Sequence, residues 1–96
     1  MGFGKGKRFC WTRLIDLDNG GLKMVKVAPF AVYPLHSHKE KTEYIFVLAG
    51  MPQIEIGDET YTGEKGDFFI LQSAIKHSIK NPIDTECTLL VGAIKN

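Results

Sequence analysis

The chain has 96 residues, which is enough for one domain. Of these residues 44% are hydrophobic and 24% are charged, a composition typical of a globular protein and not of a disordered one. Its formal charge is +1, which predicts neither a nucleic-acid partner nor a membrane partner. It has two cysteines without a Cys-x-x-Cys spacing, and no signal peptide or membrane span is evident, so we expect a soluble protein in a reducing, cytoplasmic compartment.

The N-terminal segment is basic before the first acidic residue is reached. Lys5, Lys7, Arg8 and Arg13 occur there among three glycines. A basic arm of this kind could contact phosphate, but a solvated tail beside glycines is the commoner cause of such a segment, and we predict the tail.

Short segments rich in β-branched and aromatic residues follow, separated by glycine, proline and other turn residues. No apolar helical pattern of useful length lies between these breaks, so we predict one all-β domain over residues 1–96, a sandwich, a jelly roll or a small barrel. Several segments are apolar on both faces. The predicted strands are Lys7–Ile15, Leu22–Val27, Phe30–Leu35, Glu43–Leu48, Gln53–Ile56, Glu59–Thr62, Phe68–Leu71, His77–Lys80 and Thr85–Ile94.

Two histidines stand two positions apart at the end of a predicted strand. His36 and His38 would share one face of that strand, with backbones about 6.5–7 Å apart. Two imidazoles at this spacing can bind one metal ion. The pair alone is weak evidence, because such pairs also occur by chance on surfaces.

A carboxylate follows at the start of the next apolar strand. A short turn after His38 would return the chain antiparallel, so Glu43 could reach the same ion. Glu40 is the rival, but it lies between two lysines in a charged turn where solvation explains it. Glu43 adjoins an apolar strand, where an unpaired carboxylate would be costly, and we favour it as the ligand.

His77 opens a further short strand and completes a set of three imidazoles and one carboxylate. A lone histidine there would be read as an ordinary surface or core residue. Five other residues are predicted to belong to the core and to have no functional role: Cys10, Cys87, Trp11, Phe68 and Phe69. Asn81 is predicted to have a structural role in a turn.

The spacing of these residues resembles the two motifs of the cupin family. The first is a glycine, five residues, His-x-His, three or four residues, Glu, six residues and a glycine; here Phe30 replaces the opening glycine. The second is a glycine, five residues, Pro-x-Gly, two residues, His, three residues and Asn; here Gln72 and Ala74 replace the Pro and Gly. The residues that match are His36, His38, Glu43 and Gly50 in the first motif and Gly66, His77 and Asn81 in the second.

The resemblance implies a jelly-roll β-barrel with His36, His38, Glu43 and His77 as ligands of one divalent transition metal, which could be Fe, Mn, Ni, Cu, Co or Zn. Cupin activities include dioxygenases, decarboxylases, isomerases and epimerases, beside non-enzymatic binding and storage proteins. We therefore expect a metal-dependent enzyme of a small hydroxy-acid, keto-acid, phenol or sugar; a binding or regulatory module and a barrel with a purely structural metal are the alternatives. The expected partners are a small anionic, oxygen-bearing ligand and a second copy of the chain. No catalytic residue beyond the ligands is identified.

Overall fold

Ten β-strands and no helix form the described part of this computed structural model, which comprises residues 4–6, 8–35 and 39–96. The frequent turn residues seen in the sequence keep every strand to nine residues or fewer. The strands are β1 (Gly4–Gly6), β2 (Phe9–Leu17), β3 (Gly20–Val27), β4 (Val32–Leu35), β5 (Lys41–Ala49), β6 (Gln53–Ile56), β7 (Glu59–Thr62), β8 (Phe68–Leu71), β9 (His77–Lys80) and β10 (Cys87–Lys95).

The strands form two antiparallel sheets. The larger has the order β1-β2-β3-β10-β5-β8 and the smaller the order β4-β9-β6-β7. The neighbours β3, β10 and β5 are far apart in sequence, as in a jelly roll. The all-β jelly-roll prediction is confirmed. In the described residues, however, hydrogen bonding gives two sheets rather than one closed barrel.

The core lies between the sheets and follows from the alternation of side chains along each strand. The larger sheet buries alternate residues of β3, β5 and β10, and the smaller sheet supplies Ile54 and Ile79. Burial of each such aliphatic side chain contributes about 1.5–3 kcal/mol. The fully buried members from the larger sheet are Val25, Val27, Ile45, Val47, Leu71, Cys87 and Leu89.

The predicted core residues divide between the two faces of the larger sheet. Cys87 is buried, and burial raises the pKa of its thiol to about 11. Trp11 and Phe69 pack against the core, and Cys10 is half-buried. Phe68 was predicted wrongly, because it lies on the outer face and is 54% exposed.

The N-terminal segment is also different from its prediction as a solvated tail. Gly4–Gly6 form a strand that pairs with β2, opposite Phe9–Trp11. Arg13 lies well inside β2, directly opposite Lys23 of β3. A backbone of glycines carries little pattern, so this extra edge strand gave no periodic signal.

Asn81 has the structural role expected of it, and its burial is nearly complete. Its side-chain amide nitrogen donates to the carbonyl oxygens of Val27 (3.0 Å), Ala28 (3.2 Å) and Thr85 (2.8 Å). One amide thus satisfies carbonyls at the end of β3 and in the loop before β10, and joins the two sheets.

Two non-glycine residues occupy positions where the cupin motifs have glycine, and both adopt a left-handed backbone. Phe30 has φ of 59° and Ala74 has φ of 67°. Both positions thus have the left-handed backbone that glycine favours, and a Cβ in this conformation costs about 1–2 kcal/mol. The departures from the motifs appear as local strain.

Ala74→Gly is therefore expected to stabilise the protein, by about 0.5–1 kcal/mol after the entropy lost by glycine is subtracted. That corresponds to an increase in Tm of about 2–8 °C for a domain of this size, measured by thermal denaturation. Ala49→Gly is the control, because Ala49 is an exposed strand residue without positive φ and should lose stability. A lower Tm for Ala74→Gly than for wild type would show that the strain is not relieved.

Candidate metal centre

Glu43 lies on the inner face of the larger sheet. It is the first buried residue of β5, in register with Leu71 of β8 and Ala93 of β10. Alternation from Ile45 and Val47 directs its side chain between the sheets, where the residue is only 9% exposed. Glu40, its rival, is exposed in the preceding turn. This contrast in burial supports the preference for Glu43.

His77 lies on the inner face of the smaller sheet. It begins β9, the strand between β4 and β6, and it pairs with Leu35 on one side and Ile56 on the other. The residue is 6% exposed. Its place in the middle of a sheet fixes its backbone from both sides, so its imidazole is held in a defined position.

The two side chains meet between the sheets. Nε2 of His77 lies 3.2 Å from Oε1 of Glu43, and Nδ1 of His77 lies 2.7 Å from the carbonyl oxygen of Ile75. Because a carbonyl can only accept, Nδ1 carries a hydrogen and donates it there. Neutral Nε2 is then an acceptor facing a carboxylate, also an acceptor, so the contact requires a proton or a metal cation.

This donor set fits a metal ion. Histidine ligands commonly donate their other ring N–H to a backbone carbonyl, which fixes the tautomer and aims the free nitrogen, as Ile75 does for His77. An imidazole nitrogen beside a carboxylate oxygen suits divalent transition metals. Within residues 4–6, 8–35 and 39–96, no group of three or more His, Cys, Asp or Glu side chains is arranged around a common point.

His36 and His38 lie outside the described residues, so their role as ligands stays a prediction. The described chain before them ends at Leu35. Leu35, the residue before His36, is the register partner of His77. Strand β4 therefore ends beside the strand that carries His77.

A cavity of about 380 Å³ adjoins Glu43 at one end of the larger sheet. It is open to solvent, and β2, β3, β5 and β10 provide the described part of its wall. Among the described lining residues, the ionisable side chains are Arg13, Asp16, Lys23, Lys41, Glu43 and Lys95. Four cations face two carboxylates, which gives this lining a formal charge of +2.

The sequence analysis missed the cationic lining. Two of the lining cations could have been recognised from the alternation of side chains along a strand. Lys23 precedes buried Val25 by two positions and Lys41 precedes buried Glu43 by two, so both side chains are on the inner face. Arg13 fell within the predicted strand Lys7–Ile15, but its charge was interpreted as part of the solvated basic segment. A shift of register between Arg13 and Ile15 also interrupts the alternation in β2.

Comparison with known proteins agrees with this architecture. The family model of the cupin domain matches residues 23–92. The rhicadhesin receptor of Pisum sativum is 30% identical over 89 residues, a match that covers 83% of this chain and 40% of that protein. The chain thus spans well under half the length of this curated relative.

Solved structures share the fold at low sequence identity. The cupin domain of Schizosaccharomyces pombe Cnp3 superposes with a TM-score of 0.90 at 16% identity, covering 100% of this chain and 69% of that one. A protein of Thermotoga maritima described as a predicted oxalate decarboxylase superposes with a TM-score of 0.87 at 20% identity, covering 92% and 81%. At these identities the likeness establishes the fold alone.

In the described residues, no helix is long and apolar enough to cross a membrane.

Proposed function

Because this chain belongs to the cupin family, we propose that it binds one divalent transition-metal ion through His36, His38, Glu43 and His77. The observation that carries the proposal is the buried contact of 3.2 Å between His77 Nε2 and Glu43 Oε1, two acceptors that need a cation or a proton. The His77 ring is already oriented by Ile75. The metal could be Fe, Mn, Ni, Cu, Co or Zn.

We further propose that the chain is a metal-dependent enzyme acting on a small oxygenated molecule, such as a hydroxy-acid, keto-acid, phenol or sugar. The metal would act as a Lewis acid that polarises a substrate oxygen. The chain's own contribution is to hold the ligand set and to receive the substrate in the adjoining cavity. A cationic lining favours an anionic, oxygen-bearing ligand.

A non-catalytic binding or regulatory module is the alternative, and one observation favours it. The two carboxylates of the described cavity lining are already engaged, Asp16 with Arg13 at 3.4 Å and Glu43 with His77. That lining therefore offers no unpaired carboxylate as a general base. Turnover of hydroxy-acids, keto-acids, phenols or sugars by one metal-loaded form would support the enzyme, and binding without turnover would support the module.

Glu43→Gln is expected to lower metal affinity by about 10–100-fold, because an amide oxygen replaces an anionic ligand. Glu40→Gln is the matched control and should bind metal as wild type does, since Glu40 is exposed in a turn. Titration with Zn²⁺ in the presence of a competing chelator measures both variants. A larger loss for Glu40→Gln would reverse the assignment of the carboxylate ligand.

We also propose that the protein is a cytoplasmic homodimer. The outer face of the larger sheet carries exposed apolar side chains near the edge strand β8, including Phe68 (54% exposed) and Ile70 (59%), with Tyr44 beside Phe68. Ile94, 54% exposed, extends this apolar surface on β10. A chain with a formal charge of +1 has little electrostatic repulsion to oppose packing of two such faces.

Light scattering is therefore expected to give twice the chain mass of 10.7 kDa. Ile70→Glu should shift the population to the monomer, because it places a charge on the apolar outer face. Lys65→Glu, in the turn before β8, is the control for the added negative charge and should leave the dimer intact. A wild-type protein that is monomeric at working concentration would contradict the dimer.

A further inference from the structure

Lys23 occupies an unusual position for a lysine, on the inner face of the larger sheet. Alternation from Val25 and Val27, both fully buried, directs its side chain between the sheets. Its ammonium lies 5.8 Å from the centroid of the Trp11 ring and 5.4 Å from that of Tyr33. These cation–π contacts hold the ammonium of Lys23 close to the two rings.

A second cation lies directly across from it. Arg13 of β2 is the register partner of Lys23, and both line the cavity. Arg13 is paired with Asp16 at 3.4 Å in an exposed contact, which is weak and can be exchanged for another carboxylate. In the described residues, no carboxylate lies within ion-pair distance of Lys23. Among the described residues, the rings of Trp11 and Tyr33 are the groups that face the positive charge of Lys23.

The register places this pair across the cavity from Glu43. Lys23 pairs with Val91, Val91 pairs with Ile45, and Glu43 lies two residues from Ile45 on the same face. Two strand spacings and two residues along a strand correspond to about 12 Å between the Cα atoms of Lys23 and Glu43. Both side chains project from the same face of one sheet, so a ligand that bridges their charged ends spans a distance of this order.

We propose that Lys23, with Arg13, binds a carboxylate group of the cavity ligand, and that the chain selects small dicarboxylates over monocarboxylates. The inference rests on the proposed function, because the ligand's other carboxylate would lie at the Glu43–His77 end. A carboxylate suits the pair since an ammonium and a guanidinium both donate charged hydrogen bonds to carboxylate oxygens. The remaining cavity lysines, Lys41 and Lys95, raise the local positive potential.

Trp11 is the only tryptophan of the chain and one of the two rings in contact with Lys23, so its fluorescence reports on the surroundings of Lys23. Zn²⁺-loaded protein is titrated with succinate and with butyrate, a monocarboxylate of the same carbon number. We expect succinate to bind at least about tenfold more tightly, the value of one charged hydrogen bond. Isothermal titration calorimetry gives the same affinities independently of fluorescence.

Lys23→Met is expected to remove this preference while leaving butyrate affinity unchanged, and Lys23→Arg to retain most of it. Lys65→Met, in an exposed turn outside the cavity, is the matched control and should behave as wild type. Equal affinities of wild type for the two acids, or an unchanged preference in Lys23→Met, would overturn the inference. So would an equal loss of both acids in Lys23→Met.

An error in the proposed metal centre can be distinguished from an error in the role of Lys23. Zinc content is measured on the same samples by elemental analysis. Zinc bound without a succinate preference would overturn the role of Lys23 and leave the metal centre intact. A Lys23-dependent preference in protein that cannot retain zinc would support the cationic end of the cavity and overturn the metal centre.

Discussion

His77→Ala is expected to lower the affinity of the protein for divalent metal by more than about 100-fold, since loss of a supporting outer partner alone costs about 10–100-fold. The variant removes a buried nitrogen that Ile75 orients and that lies 3.2 Å from the Glu43 carboxylate. Competition titration with a chelator measures the affinity. In wild type, metal at about 100 times its Kd should stabilise the fold by about 2.7 kcal/mol, and this increase should vanish in the variant.

Ser78→Ala is the control for His77→Ala, because Ser78 is the next residue of β9 and its side chain is directed to the opposite face. Circular dichroism verifies that both variants are folded before titration. Metal affinity in His77→Ala equal to that of Ser78→Ala would exclude His77 as a ligand. Binding should also weaken as the pH falls, because imidazole and carboxylate ligands must be deprotonated.

Gly50→Ala is expected to destabilise the protein by about 2–5 kcal/mol, the sum of backbone strain and overpacking. Gly50 ends the first motif with φ of 88°, and a Cβ there would lie 2.6 Å from Cβ and 2.8 Å from Cα of Cys87. This Cα atom belongs to the backbone of β10, so it cannot move away as the end of a flexible side chain could. Chemical denaturation measures the loss as a lower midpoint.

Gly66→Ala separates the two causes. Gly66 has φ of 93°, close to that of Gly50, but a Cβ there would meet nothing within 4 Å. It should cost only the strain of about 1–2 kcal/mol. Equal losses for the two variants would show that the contact with Cys87 contributes nothing.

Much of the fold could be predicted from the sequence because turn residues punctuate it so clearly. The predicted bounds of β6 to β9 agree with the structure, since Gly57-Asp58 and Gly66-Asp67 mark the turns around them. The edge strand β1 was missed because glycines carry no alternating pattern. Pairing of β10 with both β3 and β5 depends on distant contacts that no local pattern encodes.

The candidate site could be predicted only as a set of residue types. The motif spacing selected Glu43 and His77, and the structure brings these two together. The motif spacing could not reveal that the carbonyl of Ile75 fixes the His77 tautomer, because this contact depends on the local path of the backbone. The cationic cavity wall was missed since Arg13 becomes a neighbour of Lys23 only when β2 and β3 pair.

Metal content per chain tests the proposed centre most directly. The protein is purified without an affinity tag, loaded with metal, freed of excess by gel filtration and measured by elemental analysis. Wild type is expected to retain one divalent ion per 10.7 kDa chain, and the His36→Ala, His38→Ala double variant none. Retention of the same amount of metal by the double variant would contradict the assignment of His36 and His38 as ligands.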